Sequence, residues 1–240
     1  SDYAVRIMGI ERELAKNSRK LEALRDPYAN YNKFALAEVK TKLTPDVDWQ
    51  KWIHQIGINS LDSIVIGQPE FFKAMNNLLK TSNIQDWKVY MKWNIISGYA
   101  PYLSDNFSKE NFAFYGQMLN GSKKQLHRWK RVLNSEEGVM GEALGQLFVK
   151  EFFNEKAKNR YENLVEEIRA ALKERIQKLN WMTPATKQKA LVKLAKMSKK
   201  VGYPDKWKDF SDMKIEKQSY AENIMAASEW WHNYSITKLG

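Results

Sequence analysis

The sequence contains no cysteine, and it is poor in the residues that interrupt helices. Without cysteine the 240-residue chain can form neither a disulfide nor a thiolate nucleophile. It has only 11 glycines and 6 prolines, and no stretch sustains the apolar–polar alternation of an exposed strand. No apolar run approaches the roughly 20 residues of a membrane span. These absences exclude cysteine chemistry and favour long helices over a many-stranded sheet.

The chain is strongly basic, with a formal net charge of +11. A basic balance favours an anionic partner, such as nucleic acid or a membrane surface. The lysines are spread over all the predicted helices, however, and no recognised nucleic-acid motif is present. We therefore interpret them as the solvated coat of a helical surface and expect no nucleic acid to bind. A basic nucleic-acid-binding module stays open as an alternative.

Apolar residues at helical spacing predict a mainly α fold, a multi-helix bundle with long amphipathic helices. The clearest pattern is in 164–179, where Leu164, Ile168 and Leu172 recur on one face of a helix. An inner stripe is predicted for Leu147, Phe148 and Phe152. Nine tryptophans could form a stacking surface for bases or sugars, but most stand beside aliphatic residues at helical spacing, so we expect them in the core.

Capping residues set the predicted ends of the helices. Thr183 and Pro184 fit the N-cap and first position of a helix that we expect to end at Gly202, in a left-handed conformation. The other helices are predicted over 3–24, 44–57, 69–80, 83–99, 108–119, 136–153 and 220–237. At most one short β segment is expected, near residues 61–66.

Three groups of residues, in order along most of the chain, carry a resemblance to a known family. They are Glu11-x-x-Leu14-Ala15 with Arg25-Asp26-Pro27, Tyr31-Asn32-Lys33 and Ala35-Leu36-Ala37-Glu38-Val39; Arg128-Trp129-Lys130 with the run 142–149; and Leu179-Asn180-Trp181-Met182 with Val201-Gly202-Tyr203-Pro204-Asp205. Together they resemble the neprilysin-like zinc metallopeptidases, which include neprilysin, endothelin-converting enzyme and the bacterial oligopeptidase O. The resemblance extends from about residue 11 to residue 220.

This resemblance implies that residues 1–240 form the helical N-terminal cap region of a zinc metalloendopeptidase, with a sub-boundary near 120–135. Such a region walls the substrate cavity and restricts the substrates to oligopeptides. The implied partners are those peptides and the C-terminal catalytic zinc domain of the same polypeptide. Zinc would be bound in the full-length enzyme by ligands outside this chain. A stand-alone helical protein-interaction module stays an alternative.

The histidines provide no pair suited to catalytic zinc. The zinc motif H-E-x-x-H places two histidines one turn apart on a helix, and His54, His127 and His232 are all far apart in the sequence. Glu229 and His232 are three residues apart, a spacing found in some carboxylate metal sites, but further ligands would be needed. We interpret His127 as part of a basic turn and His54 as a helix-flank residue. We therefore assign no catalytic or metal-binding residue, and the substrate-binding residues are left unassigned.

The start of the chain shows no signal peptide and opens directly in an amphipathic pattern. We therefore expect that any targeting segment has been removed. Animal members of the family carry cysteines, which this chain lacks, so we expect a bacterial protein. The expected location is periplasmic, extracellular or membrane-anchored as a lipoprotein, with a cytoplasmic location as the alternative.

Overall fold

The structure is a computed structural model that describes residues 2–217 and 219–239. Helices dominate these ranges, so the predicted mainly α class is confirmed. The chain divides into two compact units, one made of Ser1–Gln125 with Ile215–Gly240 and the other of Leu126–Lys214. None of the helices in the described ranges is both long and apolar enough to cross a bilayer.

The first unit contains seven of the α-helices and both strands found in the described part of the chain. The helices are α1 (Asp2–Lys16), α2 (Leu36–Lys42), α3 (Trp49–Gln55), α4 (Pro69–Thr81), α5 (Ile84–Tyr99), α6 (Asp105–Asn111) and, after the second unit in the sequence, a final helix over Tyr220–Ile236. The strands are β1 (Lys33–Ala35) and β2 (Ser63–Val65). Short 3-10 turns cover Ala23–Arg25 and Ala100–Tyr102, and a π-helix covers Phe112–Leu119.

The second unit contains three helices, α7 (Arg128–Phe152), α8 (Glu155–Lys178) and α9 (Pro184–Ala195). The final helix of the first unit is therefore α10. Asn154 caps α8 by accepting a hydrogen bond from the backbone of Ala157, at 2.9 Å. Thr183 caps α9 by accepting one from the backbone of Thr186, at 3.3 Å. The predicted start of α9 is confirmed, but the helix ends at Ala195, well before Gly202.

The predicted β segment is present as β2, and it pairs with a strand that the sequence analysis does not predict. Strand β1 is antiparallel to β2, with Phe34 opposite Ile64. Both of these side chains pack on the core cluster of the first unit, which is formed by Val39, Leu43, Trp49 and Ile66. The sheet therefore anchors α2 and α3 to the loop that precedes α4.

The first predicted helix is too long, because α1 ends at Lys16 and not at residue 24. Asn17 and Ser18 fold their side chains back onto the carbonyls of Glu13 and Leu14, which competes with further helical hydrogen bonds. Only Ile10 is fully buried on α1, whereas Val5 is 72% exposed. The apolar spacing therefore extends beyond the packed part of the helix.

The predicted helix at Thr44 begins instead at Trp49, with Asp48 as its N-cap. Thr44 is fully buried, and its hydroxyl accepts a hydrogen bond from the Trp49 indole at 2.6 Å. This core contact places Pro45 in a turn before the helix. Gly57 ends the segment with a φ of 87°, as the sequence predicts.

The predicted helix over 108–119 changes its winding at Phe112, where α6 gives way to the π-helix. The Phe112 ring lies directly on Gly116, at whose position a Cβ atom would approach the ring to 2.3 Å. A larger residue at 116 would therefore displace the ring.

The predicted helix over 136–153 also differs from the structure. Helix α7 starts earlier, at Arg128, and contains a kink at Met140, where φ is −135°.

Candidate functional site

The three histidines do not form a metal site in the described residues. His54, His127 and His232 are all exposed, and His127 immediately precedes α7. The Nε2 atom of His232 is 2.8 Å from the carbonyl oxygen of Ile56, so this nitrogen already has a backbone partner. Between residues 2 and 239, Gln218 excepted, no group of three or more His, Asp or Glu side chains could hold a metal ion. The residues present do not fit a zinc centre.

The helices instead expose apolar stripes. On α8, the apolar face that the spacing predicts is open to solvent, since Leu164 is 52% exposed, Ile168 60% and Leu172 43%. Helical spacing shows that a face is apolar but not what covers it, and nothing in the described residues covers this one. Tyr161 extends the same row by one turn. We call these four residues the α8 stripe.

A second exposed apolar row is found on α7. Leu147, Phe148 and Phe152, predicted as an inner stripe, are 65%, 58% and 76% exposed, and the two phenylalanine rings lie 5.3 Å apart. Single exposed apolar residues are ordinary on protein surfaces, whereas rows of them mark surfaces that bind something. The α7 row and the α8 stripe are therefore the candidate interaction surfaces of the second unit.

The tryptophans are divided between the core and the surface. Trp49 and Trp87 are buried, as predicted. Four others are exposed, against the prediction that most of the tryptophans lie in the core: Trp52, Trp93, Trp129 and Trp181. Trp181, at the corner between α8 and α9, is 74% exposed. These four indoles add to the apolar surface that is open to solvent.

The motif Val201–Asp205 has a structural role in the second unit. Gly202 has a φ of 69°, and the ring of Phe153 lies so close that a Cβ atom at 202 would be 2.7 Å from it. Tyr203 stacks on Trp207, with ring centroids 5.9 Å apart. Lys158 binds the Asp205 carboxylate at 2.8 Å and the Tyr203 carbonyl at 3.2 Å. The motif thus fixes a loop against α8.

Charge pairing in this loop shifts the titration of its groups. The hydrogen bond from Lys158 lowers the pKa of Asp205, and the same bond raises the pKa of Lys158. Lys199 likewise lowers the pKa of Glu166. These pairs are exposed enough to water that they position the loop more than they stabilise the unit. The sequence analysis did not identify Lys158, because its partner is 47 residues away.

In the first unit, the motif Arg25-Asp26-Pro27 lies in a loop held by Arg19. The Asp26 carboxylate accepts hydrogen bonds from the next backbone amides, and Arg19 donates to the carbonyl oxygen of Ala29 at 2.9 Å. Arg19 also forms a two-point ion pair with Glu70 and lowers the pKa of that carboxyl group. The motif is therefore explained by loop geometry, and no substrate contact is needed to account for it.

The chain is similar to known members of one peptidase family. Residues 1–204 match the profile of peptidase family M13. Mouse (Mus musculus) neprilysin is 26% identical over 253 aligned residues, which cover 98% of this chain and 34% of that protein. Endothelin-converting enzyme 1 of Bos taurus is 30% identical over 230 aligned residues, 91% of this chain and 30% of that protein.

The backbone of the chain is also similar to that of solved metalloprotease structures. The zinc metalloprotease Zmp1 of Mycobacterium tuberculosis in complex with an inhibitor superposes with a TM-score of 0.90 and 33% identity. The alignment covers 100% of this chain but 36% of that one. Its open state gives a TM-score of 0.87 at 34% identity. The chain thus spans about a third of the length of the relatives that it matches.

Proposed function

Because this chain belongs to peptidase family M13, we propose that it is the non-catalytic helical part of a zinc-dependent metalloendopeptidase that acts on oligopeptides. The observation that carries the proposal is the full-length match of this chain to about a third of Zmp1. Nearly two thirds of that metalloprotease has no counterpart here, which leaves room for a separate zinc-bearing domain. No H-E-x-x-H motif is present in these 240 residues. The zinc ligands would therefore be supplied by another part of the polypeptide.

The exposed apolar rows support a packing role for this part. Burying apolar surface contributes about 25 cal/mol per Å², so the α7 row and the α8 stripe would contribute substantially to holding a second domain. The proposed occupant is the C-terminal catalytic domain of the same polypeptide. The helical part would then wall the substrate cavity and keep out folded proteins. Its residues act by steric selection, and we derive no chemical step from them.

For the location of the protein, we propose what the resemblance to the family leads us to expect. We keep the prediction of a bacterial, exported protein, and of a domain boundary near 120–135, as parts of the same proposal. The division of the chain into two compact units after Gln125 supports this part of the proposal. Limited proteolysis that cuts first within 120–135 would support it, whereas first cuts only elsewhere would argue against it.

The decisive experiment uses the whole polypeptide encoded by the gene. We expect it to cleave a quenched fluorescent oligopeptide, to lose this activity with a chelator and to regain it with zinc. A reading frame without a zinc-binding motif, or activity that resists chelation, would refute the proposal. A frame that ends near Gly240 would favour the stand-alone interaction module.

The role of the α8 stripe is tested in the same polypeptide. The variant Leu164→Ser/Ile168→Ser/Leu172→Ser should lower peptide cleavage more than tenfold, or raise cleavage of a folded protein relative to the peptide. The matched control Asn163→Ser/Glu167→Ser/Ala171→Ser changes three exposed positions of the same helix, one residue earlier in each case. It should leave both activities within about twofold, because substitutions at exposed positions outside the stripe have small effects. Equal effects of the two variants would contradict the packing role.

A further inference from the structure

Helix α9 has two faces of different chemistry. Its inner face is made of Lys187, Ala190, Leu191 and Leu194, which are buried or partly buried at the spacing of one helix side, and α9 packs against α8. Its outer face carries exposed lysines at positions 189 and 193, and the exposed Lys196 is its C-cap. The segment that follows the helix adds Lys200. We call Lys189, Lys193, Lys196 and Lys200 the lysine row.

The charge along this part of the chain has one sign. Residues 187–200 contain six lysines and neither aspartate nor glutamate. Two of the six have partners: Lys199 pairs with Glu166 at 3.0 Å, and Lys187 donates to the carbonyl of Gln177 at 2.7 Å. The four members of the lysine row form no ion pair with any residue in the ranges 2–217 and 219–239. Their positive charge is therefore not neutralised by the described part of the chain.

The lysine row is unsuited to burial against an apolar domain surface. Removing an unpaired ammonium group from water costs several kcal/mol, whereas a charge that stays hydrated loses nothing. The apolar rows of α7 and α8 have the opposite preference. The two kinds of surface therefore serve different partners, and the lysine row stays at the water-exposed side of the protein or meets a negatively charged surface.

Two exposed apolar side chains lie among these lysines. Val192 is 44% exposed and lies one helical turn from Lys189 and from the C-cap Lys196. Met197 is 56% exposed and follows Lys196. Lysines with aliphatic stems beside small apolar groups are typical of segments that lie in the headgroup region of a bilayer. Duplex phosphates would be matched by the lysines alone and would leave the apolar groups without a role.

From this arrangement we infer that the lysine row with Val192 and Met197 is a docking surface for membranes rich in anionic phospholipid. The lysines are attracted to the lipid phosphates, and the two apolar side chains enter the interface. Each lysine near an anionic leaflet contributes a modest attraction, so four give binding that is reversible and weakens with salt. The contact would hold α9 against the membrane whether or not the protein hydrolyses peptides.

The test is sedimentation of the purified protein with vesicles. The probes are vesicles of phosphatidylglycerol and phosphatidylcholine in equal parts, and vesicles of phosphatidylcholine alone, at low and at high salt. We expect binding to the anionic vesicles only, with an affinity that falls as salt rises. Lys189→Glu/Lys193→Glu/Lys196→Glu/Lys200→Glu should lower this affinity roughly a hundredfold or more.

The matched control makes the same change of charge at four lysines of the first unit. Lys40→Glu/Lys51→Glu/Lys88→Glu/Lys92→Glu changes four exposed lysines of the first unit that form no ion pair with described residues. It should retain binding within about threefold of the parent, since the attraction falls off within a Debye length of roughly 10 Å. An equal loss in both variants, or binding to neutral vesicles as strong as to anionic ones, would overturn the inference. Circular dichroism shows whether each variant is folded.

A third variant distinguishes a lipid from any other polyanion. Val192→Ser/Met197→Ser keeps every charge and should weaken vesicle binding several-fold. If it binds vesicles as the parent does, and if duplex DNA binds with the same dependence on the lysine row, the surface is a phosphate-binding one and the lipid assignment is wrong. Neither outcome depends on peptidase activity.

Discussion

At the scale of single residues, Thr44 shows how one hydroxyl group joins two elements. The side chain is fully buried, accepts a hydrogen bond from the Trp49 indole at 2.6 Å and donates one to the Val39 carbonyl at 3.3 Å. Val39 lies on α2, which ends before Thr44, and Trp49 is the first residue of α3. The hydroxyl thereby satisfies the indole N–H inside the core of the first unit.

Replacing Thr44 by valine should lower the free energy of unfolding by about 1–3 kcal/mol. The two side chains have nearly the same shape, so the loss comes from the buried indole N–H that is left without an acceptor. Urea unfolding followed by tryptophan fluorescence measures it. Thr41→Val is the control, because the Thr41 hydroxyl is exposed and bonds only within its own helix. A similar loss in both variants would show that the Trp49 contact is unimportant.

Two Thr-Pro pairs show what the sequence could predict at this scale. At Thr183 and Pro184 the local capping pattern is sufficient to predict where α9 begins, and this prediction is confirmed. At Thr44 the same pattern gives a core contact and a turn, because Trp49 lies within reach of the hydroxyl. Capping preferences are local, and they cannot anticipate a partner that tertiary packing brings close.

At the scale of the elements, α7 is the least regular helix of the second unit. It is kinked at Met140, and glycines at 138 and 141 flank the kink. A Cβ atom at either glycine would have no neighbour within 4 Å, so these glycines are not needed for close packing. Glycine within a helix costs roughly 1 kcal/mol relative to alanine. The pair weakens the helix where it bends.

Gly138→Ala and Gly141→Ala should each raise the free energy of unfolding by about 0.5–1 kcal/mol and increase the helical circular dichroism signal. Gly145→Ala in the same helix is the matched control. Its Cβ atom would lie 3.3 Å from the Trp207 ring, so packing should cancel the gain in helix propensity. No gain at positions 138 and 141, or a gain of the same size at position 145, would contradict this account of the glycines.

The elements also show the limit of periodicity as a guide. Spacing predicted most of the helices and the β segment near 61–66, but not its partner strand β1, which has only three residues. It assigned Phe148 to an inner stripe, whereas the structure leaves that side chain 58% exposed. Periodicity reports that a face prefers to leave water, and the partner that covers it need not belong to the same stretch of chain.

At the scale of the whole molecule, ion pairs lower the pKa values of carboxyl groups in both units. In the first unit, Lys80 lowers the pKa of Asp46, and Arg19 lowers that of Glu70. In the second unit, Asp205 and Glu166 behave in the same way. A carboxyl group with a depressed folded-state pKa stabilises the fold above its unfolded pKa of about 4, and this contribution is lost as the pH falls through the folded value.

We therefore expect the urea midpoint to be nearly constant from about pH 8 to pH 5 and to fall below about pH 4. The net charge of +11 adds repulsion as further carboxyl groups are protonated. Asp46→Asn/Asp205→Asn should lower the midpoint at neutral pH and flatten its dependence on acid. A midpoint that does not change between pH 6 and pH 3 would show that these pairs contribute nothing to stability.

The family was predictable from the sequence, and the surfaces were not. Motifs such as Val201–Asp205 fix loops through specific contacts, so they identify the family even at about 30% identity. The spacing of the rows on α7 and α8 shows that these faces are apolar, but it carries no information on what covers them. The sequence shows the six lysines of residues 187–200. Only the structure separates the four of the lysine row from Lys187 and Lys199, which have partners.

The order of the two units along the sequence has a consequence for synthesis on the ribosome. Helix α10 belongs to the first unit, where Tyr220 packs edge-to-face on Tyr102 and Ala227 is buried, yet it follows the whole second unit in the chain. At a translation rate of roughly 5–20 residues per second, about 5–20 s pass between the synthesis of Gln125 and that of α10, which completes the first unit. During that interval the nascent chain presents an incomplete fold to chaperones, while residues 126–214 can already assemble.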